Sequence, residues 1–246
     1  MNHGTRVGRS GRRLLPSRAI GLGLLSLGML LVPPALAVDG VIEINQARAA
    51  AGGVTSGDIG GFPVSLNVRG SYRLTGDLLA AAGFEAIVVG ADDVTIDLNG
   101  FTISSAGGAV TDGIGVGLQK NVEIRNGTVR GFSRHGIFAT GPSQNVRTIG
   151  IRAIGNGLSG IELQGPGDLV EGCFALGNAV GFRVGDGSLV FDSVARSNSI
   201  AGLLAGANAG YRSNVFTLNN GSDAAAQVSG GLQLGTNVCG SDTVCP

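Results

Sequence analysis

The sequence contains no Trp and only two Tyr, and charged side chains make up 14% of its 246 residues. His occurs twice, and Lys occurs once, as Lys120. This inventory excludes chemistries that need several such groups. Lys120 lacks the glycine spacing of a Walker A loop, and no CxxC or HxxxH spacing indicates a zinc site. Without Trp, a sugar-binding surface must rely on hydrogen bonds and charge.

Glycine is the residue in excess. The 45 glycines show no three-residue period and Pro totals 7, which excludes collagen. Because each Gly costs about 1 kcal/mol in a helix interior, no window after residue 50 favours a long helix. Hydrophobic residues reach 43%, so a disordered chain is excluded as well.

The first 37 residues are typical of an export signal. Five arginines precede an apolar run over 19–32, and Ala35-Leu36-Ala37 has the small-x-small pattern of a cleavage site. We expect cleavage after Ala37, a secreted or periplasmic mature chain, and no membrane span beyond the signal. Loss of the five arginines leaves 12 basic and 17 acidic side chains, a net charge of −5. That balance argues against nucleic acid as a partner.

The three cysteines fit an exported protein. Cys239 and Cys245 lie near each other at the C-terminal end, where a disulfide would hold the tail in place. Cys173 lies in an apolar segment, and we predict that it is a buried, reduced thiol.

Internal repeats indicate the fold. A Gly followed by an apolar residue recurs every 21 to 24 residues, and a second segment with strand-like alternation lies within each period. The pairs are Gly113-Ile114, Gly136-Ile137, Gly160-Ile161, Gly181-Phe182 and Gly202-Leu203. Short strands with this period predict a solenoid. The inward positions are Ile, Val, Phe and Ala, and not regular leucines, which favours a parallel β-helix over a leucine-rich repeat.

A column of asparagines follows the same period. Asn156, Asn178 and Asn198 precede successive Gly-apolar pairs, with spacings of 22 and 20 residues. At such a place a side-chain amide can bond to the equivalent amide of the neighbouring turn. We therefore predict an asparagine ladder along the stack.

The repeats and the segment Ala91-Asp92-Asp93-Val94-Thr95-Ile96-Asp97-Leu98-Asn99-Gly100-Phe101-Thr102-Ile103 resemble the right-handed parallel β-helix repeat proteins of the pectin-lyase-like superfamily. The entry segment 61–74 and the closing segment 239–246 are similar to exported bacterial members of that group. The resemblance implies an all-β, single-domain, right-handed parallel β-helix solenoid. We expect a short N-terminal cap with the first strands over 38–84, six or seven coils over 85–222, and a C-terminal cap over 223–246.

The polar side chains of the early coils are the candidates for chemistry. In the register set by the repeats, Asp97 faces Arg125 and Glu123 faces Arg147 on coils about 4.8 Å apart. A purely structural charge ladder requires this same arrangement.

A catalytic alternative uses the same region. Enzymes of this superfamily place carboxylates and basic residues on an exposed parallel sheet, where the carboxylates bind calcium or act as acid and base. Arg134-His135-Gly136 resembles the Gly-His-Gly element of β-helix polygalacturonases, and Asp92-Asp93 resembles their paired aspartates. Their Asn-Thr-Asp and Arg-Ile-Lys elements are missing here. The catalytic candidates are Asp93, Asp97, Arg125, Arg134 and His135, and calcium is expected only with this alternative.

The chain is short, has no long loops to wall a cleft, and holds few acid or base groups. We therefore expect a non-catalytic exported module that binds or scaffolds extracellular or cell-envelope polysaccharide. The alternative is a small polysaccharide lyase or glycoside hydrolase. The sequence leaves the ligand and the oligomeric state open.

Most phenylalanines are expected in the core: Phe84, Phe101, Phe132, Phe138, Phe174, Phe182, Phe191 and Phe216.

Overall fold

The computed structural model describes residues 40–245 and Gly4, and residues 40–245 lie within one compact unit, 37–246. Apart from Gly4, the predicted signal peptide and its cleavage site lie outside the described residues. In chain order, the elements are β1 (Ile42–Ile44), α1 (Gln46–Ala51), β2 (Val64–Leu66), β3 (Gly70–Leu74), β4 (Leu78–Ala80), β5 (Ile87–Val89), β6 (Val94–Asp97), β7 (Thr102–Ser105), β8 (Ile114–Val116), β9 (Lys120–Arg130), β10 (Ile137–Ala139), β11 (Gln144–Ile154), β12 (Ser159–Leu163), β13 (Leu169–Glu171), β14 (Phe174–Leu176), β15 (Val180–Val184), β16 (Leu189–Phe191), β17 (Val194–Arg196), β18 (Ala201–Ala205), β19 (Gly210–Arg212), β20 (Val215–Thr217), β21 (Val228–Ser229), β22 (Leu232–Gln233) and β23 (Val238–Cys239).

These strands stack in parallel as a β-solenoid of about eight turns, which confirms the all-β fold class. Each turn contributes strands to three faces. Face A is the eight-stranded sheet β2-β5-β8-β10-β12-β15-β18-β21. Face B follows the order β1-β3-β6-β9-β11-β13-β16-β19-β22, and face C contains β4, β7, β14, β17, β20 and β23. The long strands β9 and β11 run through both B and C, so these two faces form one fifteen-stranded sheet.

The repeated Gly-apolar pairs place one apolar column inside face A. Ile114, Ile137, Ile161, Phe182 and Leu203 are neighbours in register on successive strands, and all are fully buried. Alternate residues of these strands point outward, as a two-residue period requires. The side chains that follow each column residue therefore form the outer surface of face A.

The predicted asparagine ladder lies in the turns between faces C and A. The Asn156 side-chain amide donates to Asn178 Oδ1 at 3.1 Å, and Asn178 donates to Asn198 Oδ1 at 3.1 Å. Asn219 extends this buried ladder, and Gln227 ends it with Oε1 2.9 Å from Asn219 Nδ2. The ladder is confirmed.

The ladder explains why glycine begins four of the five repeated pairs. A Cβ built on Gly160 would lie 2.9 Å from Asn178 Nδ2 and 2.8 Å from the Gly181 carbonyl oxygen. On Gly136 it would lie 2.8 Å from Asn156 Nδ2. At Gly136, Gly160, Gly181 and Gly202 the asparagine of the following turn fills the space that a side chain would need, so Gly and Asn are required together there, whereas at Gly113 the Phe132 and Val129 side chains fill it.

A second ladder lies at the corner between faces B and C, where the sequence did not indicate one. Asn214 donates to Asn237 Oδ1 at 3.1 Å, and the Ser193 N–H donates to Asn214 Oδ1 at 3.0 Å. Cys173 continues this column, since its N–H donates to Ser193 Oγ at 3.1 Å. The predicted buried, free thiol at Cys173 is confirmed, and burial raises its pKa to about 11.

Side chains replace the missing strand at the N-terminal end of the stack. Asp58 and Thr55 accept the Ser65 and Asn67 N–H groups at the edge of β2, at 2.8 and 3.1 Å. Gln46 on α1 exchanges two hydrogen bonds with the backbone of Leu79 in β4, and β1 pairs with β3. All three faces are thus covered at this end, where unpaired edges would invite association.

The C-terminal segment is held by the predicted disulfide. Cys239 lies in β23 and is bonded to Cys245, which confirms the pairing. The Cys239 N–H also donates to the Asp242 carbonyl at 2.7 Å, and the Cys245 N–H donates to Gln233 Oε1 at 3.0 Å. A disulfide of this kind indicates an oxidising, extracellular type of environment.

The expectation for the phenylalanines is only partly correct. Phe132, Phe182 and Phe216 are buried, whereas Phe84 is 50% exposed. The other four, Phe101, Phe138, Phe174 and Phe191, are half-buried. Phe101 packs against the core from its half-buried position. Phe138, Phe174 and Phe191 lie at outward positions of their strands, where an aromatic side chain packs against its neighbours in adjacent turns.

Candidate functional site

The charged residues of face B form the ladder expected from the repeats. Asp97 pairs in register with Arg125, and Glu123 pairs with Arg147. Arg125 Nε lies 3.2 Å from Asp97 Oδ2, and its Nη1 lies 2.9 Å from Glu123 Oε1. Arg147 Nη1 lies 3.3 Å from Glu123 Oε2, so four side chains on three turns form one network.

Asp97 is held as an ionised member of this network. Burial alone would raise its pKa, but hydrogen bonds from the Asn99 N–H, Asn126 and Arg125 outweigh that effect and lower the pKa. A carboxylate with several donors and a depressed pKa is a poor general acid or base near neutral pH. Two catalytic candidates, Asp97 and Arg125, therefore neutralise each other.

Asp97→Ala is expected to lower the free energy of unfolding by about 1 kcal/mol. The lost contacts are partly exposed ion pairs and hydrogen bonds, which contribute modestly. Denaturant unfolding monitored by circular dichroism measures the change. Glu43→Ala is the control, because Glu43 is an exposed outward residue of β1 without an ion pair among the described residues. An unchanged midpoint for Asp97→Ala would contradict the structural role of the ladder.

Asp93 lies in a turn and not on the open sheet. Its backbone is left-handed, with φ of 58°, and its Oδ1 accepts a hydrogen bond from Asn121 Nδ2 at 2.8 Å. Asn121 in turn accepts from Asn145 at 2.9 Å, and both asparagines are also left-handed. The three residues form an exposed turn ladder, since Asn and Asp tolerate this conformation better than most residues.

Arg134 and His135 lie on a different face from Asp97 and Arg125. They precede β10, and the His135 N–H donates to Asp112 Oδ1 at 3.0 Å. Arg134 Nη1 lies 3.6 Å from Asp112 Oδ2. The His135 ring stacks on Phe138 with 4.9 Å between centroids, and Arg134 also lies over that ring. The structure thus divides the five catalytic candidates between face A, face B and a turn.

The partner that the structure gives to His135 is Glu162, which the sequence did not single out. Glu162 occupies an outward position of β12, in register with Phe138 and Arg183. Its side chain is nevertheless only 3% exposed. His135 Nδ1 lies 3.3 Å from Glu162 Oε2.

Three further side chains surround this carboxylate. Ser159 Oγ donates to Glu162 Oε2 at 2.7 Å, and Gln164 Nε2 donates to Oε1 at 2.6 Å. Arg183 Nη1 lies 3.6 Å from Oε1, beyond hydrogen-bond distance. Burying an ionised carboxylate is costly unless donors surround it, and here they do. We call Glu162, His135, Ser159, Gln164 and Arg183 the Glu162 cluster.

His135 is uncharged near neutral pH. Burial lowers its pKa, and this effect outweighs the opposing influence of the Glu162 and Asp112 carboxylates. The guanidinium groups of Arg134 and Arg183 lower it further. Protonation of the imidazole therefore requires acid, and the ring carries no positive charge to Glu162 at pH 7.

A groove begins beside the Glu162 cluster and follows face A toward the last turn. It is an open, shallow depression with a volume of about 420 Å³. Gln164 and Arg183 form one side, and glycines including Gly185 and Gly206 line it further along. A Cβ on Gly185 would lie 2.5 Å from the Gln164 carbonyl oxygen, so close packing of successive turns requires glycine there.

Arg183 is the side chain in this groove that is best placed to meet a ligand. Its side chain is 50% exposed, and within residues 40–245 its guanidinium donates no hydrogen bond. The guanidinium carries five donors in a planar fork that fits carboxylate or sulfate oxygens. It is therefore a charged donor group, loosely tethered to Glu162, at the edge of a concave surface.

Within the part of the chain that the structure describes, no group of three or more His, Cys, Asp or Glu side chains could hold a metal ion. No helix among those residues is long and apolar enough to cross a membrane.

Comparison with protein-family models, with curated proteins and with solved structures gives no match for this chain. The fold is thus established as a parallel β-solenoid, while membership of the pectin-lyase-like superfamily rests on the resemblance alone.

A sequence signal for the Glu162 cluster does exist. Phe138, Glu162 and Arg183 each follow the glycine of a repeated pair by two residues, so their spacings match those of the glycine column. Aligning the residues at this offset places a carboxylate and a guanidinium side by side on one outer surface. Because His135 lies outside the strands, its approach to Glu162 could not be obtained from that alignment.

Proposed function

We propose that this chain is an exported β-solenoid that binds extracellular or cell-envelope polysaccharide without cleaving it, and that the groove on face A is the binding site. The observation that carries the proposal is the half-exposed Arg183 guanidinium, which has no hydrogen-bond partner within residues 40–245 and stands at the groove. The Gln164 amide lies beside it. Planar groups of this kind bind hydroxyl and carboxylate oxygens without needing an aromatic platform.

Three further observations support a binding role. The candidate acid and base groups of face B are paired with each other, as in a scaffold. The disulfide suits an oxidising, extracellular compartment, where a cell-surface ligand would be met. The solenoid offers a long surface with a repeated outline, which suits a repetitive ligand.

Arg183→Ala is expected to weaken binding to an acidic polysaccharide by about 30-fold, equivalent to about 2 kcal/mol, because a charge-assisted contact is lost. Affinity electrophoresis against a panel of uronic-acid polymers, with and without calcium, identifies a bound polymer, and isothermal titration calorimetry measures the change. Arg196→Ala is the matched control, since Arg196 is an exposed arginine on face C. Equal losses for both variants would indicate unspecific attraction and would contradict the site. Binding to none of the polymers would contradict the function.

The alternative function, a small polysaccharide lyase or glycoside hydrolase, is favoured by one observation. His135 and Glu162 form a buried acid–base pair beside the groove, at 3.3 Å. Release of new chain ends from any polymer of the same panel, abolished by Glu162→Gln, would replace the binding proposal with the enzymatic one. We expect no turnover, because Glu162 is enclosed by Ser159, Gln164 and His135 and is 3% exposed.

A further inference from the structure

Two buried titratable side chains, His135 and Glu162, adjoin the groove on face A. His135 Nδ1 lies 3.3 Å from the Ser159 backbone nitrogen, which donates to it, and 3.3 Å from Glu162 Oε2, which is an acceptor. One ring nitrogen cannot accept from the first group and donate to the second at the same time. The contact therefore has two arrangements, and the protonation state of the imidazole selects between them.

In the neutral state, Nδ1 accepts the Ser159 N–H and gives no proton to Glu162. The charged groups that face the ring are Glu162, Asp112, Arg134 and Arg183. Arg134 contacts Asp112 at 3.6 Å, which leaves Arg183 as the cation beside Glu162, also at 3.6 Å. At neutral pH the Glu162 carboxylate therefore attracts the guanidinium that a ligand anion would also need.

In the protonated state, Nδ1 carries a hydrogen and forms an ion pair with Glu162 Oε2. The negative charge of Glu162 is then compensated within the buried pair. Arg183 then loses its competing attraction to Glu162, because the one charge that the imidazole gains neutralises the carboxylate. This change favours an anion next to Arg183.

We propose that the groove takes an anionic group of its ligand, a carboxylate or a sulfate, on Arg183, and that protonation of His135 strengthens this binding. The inference rests on the proposed function, because it concerns the same groove. His135 is here a positioning residue, acting through Glu162, and it does not touch the ligand. Reciprocity requires that the bound anion make His135 easier to protonate.

The structure allows a direct measurement, because the sequence holds only two histidines, His3 and His135. Calorimetric titrations at pH 4.5 and pH 8 would use three probes: a trimer of galacturonic acid, the neutral galactose trimer, and inorganic sulfate. NMR of the imidazole protons would follow the titration of His135 with and without each probe. Variants His135→Gln and Glu162→Gln complete the set, and near-ultraviolet circular dichroism checks that each remains folded.

We expect the acidic trimer to bind about tenfold more tightly at pH 4.5 than at pH 8, a typical magnitude for two coupled sites. In the His135→Gln variant the affinity for the acidic trimer should be the same at both pH values, since glutamine cannot become a cation. Saturation with the trimer should raise the pKa of His135, and Glu162→Gln should lower it, because the carboxylate that favours the charged ring is gone. A variant with a merely structural defect would not move the imidazole titration in this way.

The other outcomes separate the inference from the function. If the acidic trimer binds equally well at both pH values, or if His135→Gln keeps the ratio, the inference is overturned and the binding function stands. If sulfate alone binds with the expected pH dependence, the anion site stands and the polysaccharide function falls. If only the neutral trimer binds, the inference is overturned and the binding function stands. If no probe binds at either pH, both the inference and the binding function are overturned.

Discussion

Asn178→Ala is expected to lower the free energy of unfolding by about 4 kcal/mol. Asn178 Oδ1 accepts from the Asn156 N–H at 2.9 Å and from the Asn156 side-chain amide, and its own amide donates to the Ala153 carbonyl and to Asn198 Oδ1, both at 3.1 Å. Removing it leaves buried donors at Asn156 without an acceptor, and each unsatisfied group costs about 1–3 kcal/mol. Denaturant unfolding at neutral pH measures the loss.

Two comparisons make this prediction specific. Asn208→Ala should change stability by less than about 0.5 kcal/mol, since Asn208 is exposed and makes one side-chain contact, with Asp186. In Asn178→Asp the new side chain has nearly the same size, but it places acceptor oxygens opposite the Ala153 carbonyl and Asn198 Oδ1. The loss of unfolding free energy should therefore be at least as large as for Asn178→Ala at pH 7. It should become smaller in acid, when the protonated carboxyl regains a donor. Equal, small effects for all three variants would show that the ladder does not stabilise the stack.

The second large effect concerns Asp168, a buried carboxylate that is 2% exposed, in the turn before β13. Its Oδ1 accepts the Val146 N–H at 2.8 Å, but its Oδ2 has no hydrogen-bond partner within residues 40–245. Burial raises the pKa of Asp168 to about 6 from its usual value of 3.8. Because the folded state holds the proton more tightly than the unfolded chain, this group favours folding in acid, and the benefit is lost as the pH rises through about 6.

We therefore expect the stability difference between the wild type and Asp168→Asn to change by about 2.5 kcal/mol from pH 4 to pH 8, in favour of the variant at the higher pH. Parallel unfolding curves across this range provide the measurement. Asp192→Asn is the control. Asp192 is exposed, and its backbone is left-handed, a conformation that Asn adopts readily. The stability difference between the wild type and this variant should therefore stay nearly constant with pH. A constant difference for Asp168→Asn too would mean that the carboxylate is not buried as described.

The part of the site that could be predicted from the sequence is the part set by the repeat. The pairs Asp97 with Arg125 and Glu123 with Arg147 follow from register, and the structure contains both ion pairs. Asp93 is a catalytic candidate by sequence because Asp92-Asp93 resembles the paired aspartates of β-helix polygalacturonases, but its left-handed backbone makes it a turn residue. A sequence pattern shows where a carboxylate lies along the chain, but it does not show which hydrogen-bond donors surround that carboxylate.

His135 shows the opposite case. Its resemblance to a catalytic motif groups it with Asp97, yet the two lie on different faces, and His135 contacts Glu162, 27 positions further along the chain. The turn before β10 determines which way His135 points. Its side-chain direction depends on the packing of that turn against Phe138 and Ser159, which no periodicity encodes.

The sequence by itself determined the parallel stack, the inward apolar columns, the ladder at Asn156, Asn178 and Asn198, and the Cys239–Cys245 pair. These features repeat, or are local, so a spacing of 20 to 24 residues or a short loop is enough to specify them. Only the tertiary structure decided how the stack ends, where Asp58 and Gln46 stand in for a missing strand, and how Glu162 becomes enclosed beside a groove. Those arrangements occur once in the chain and depend on side chains brought together from different turns, and a contact without a repeat leaves no period in the sequence.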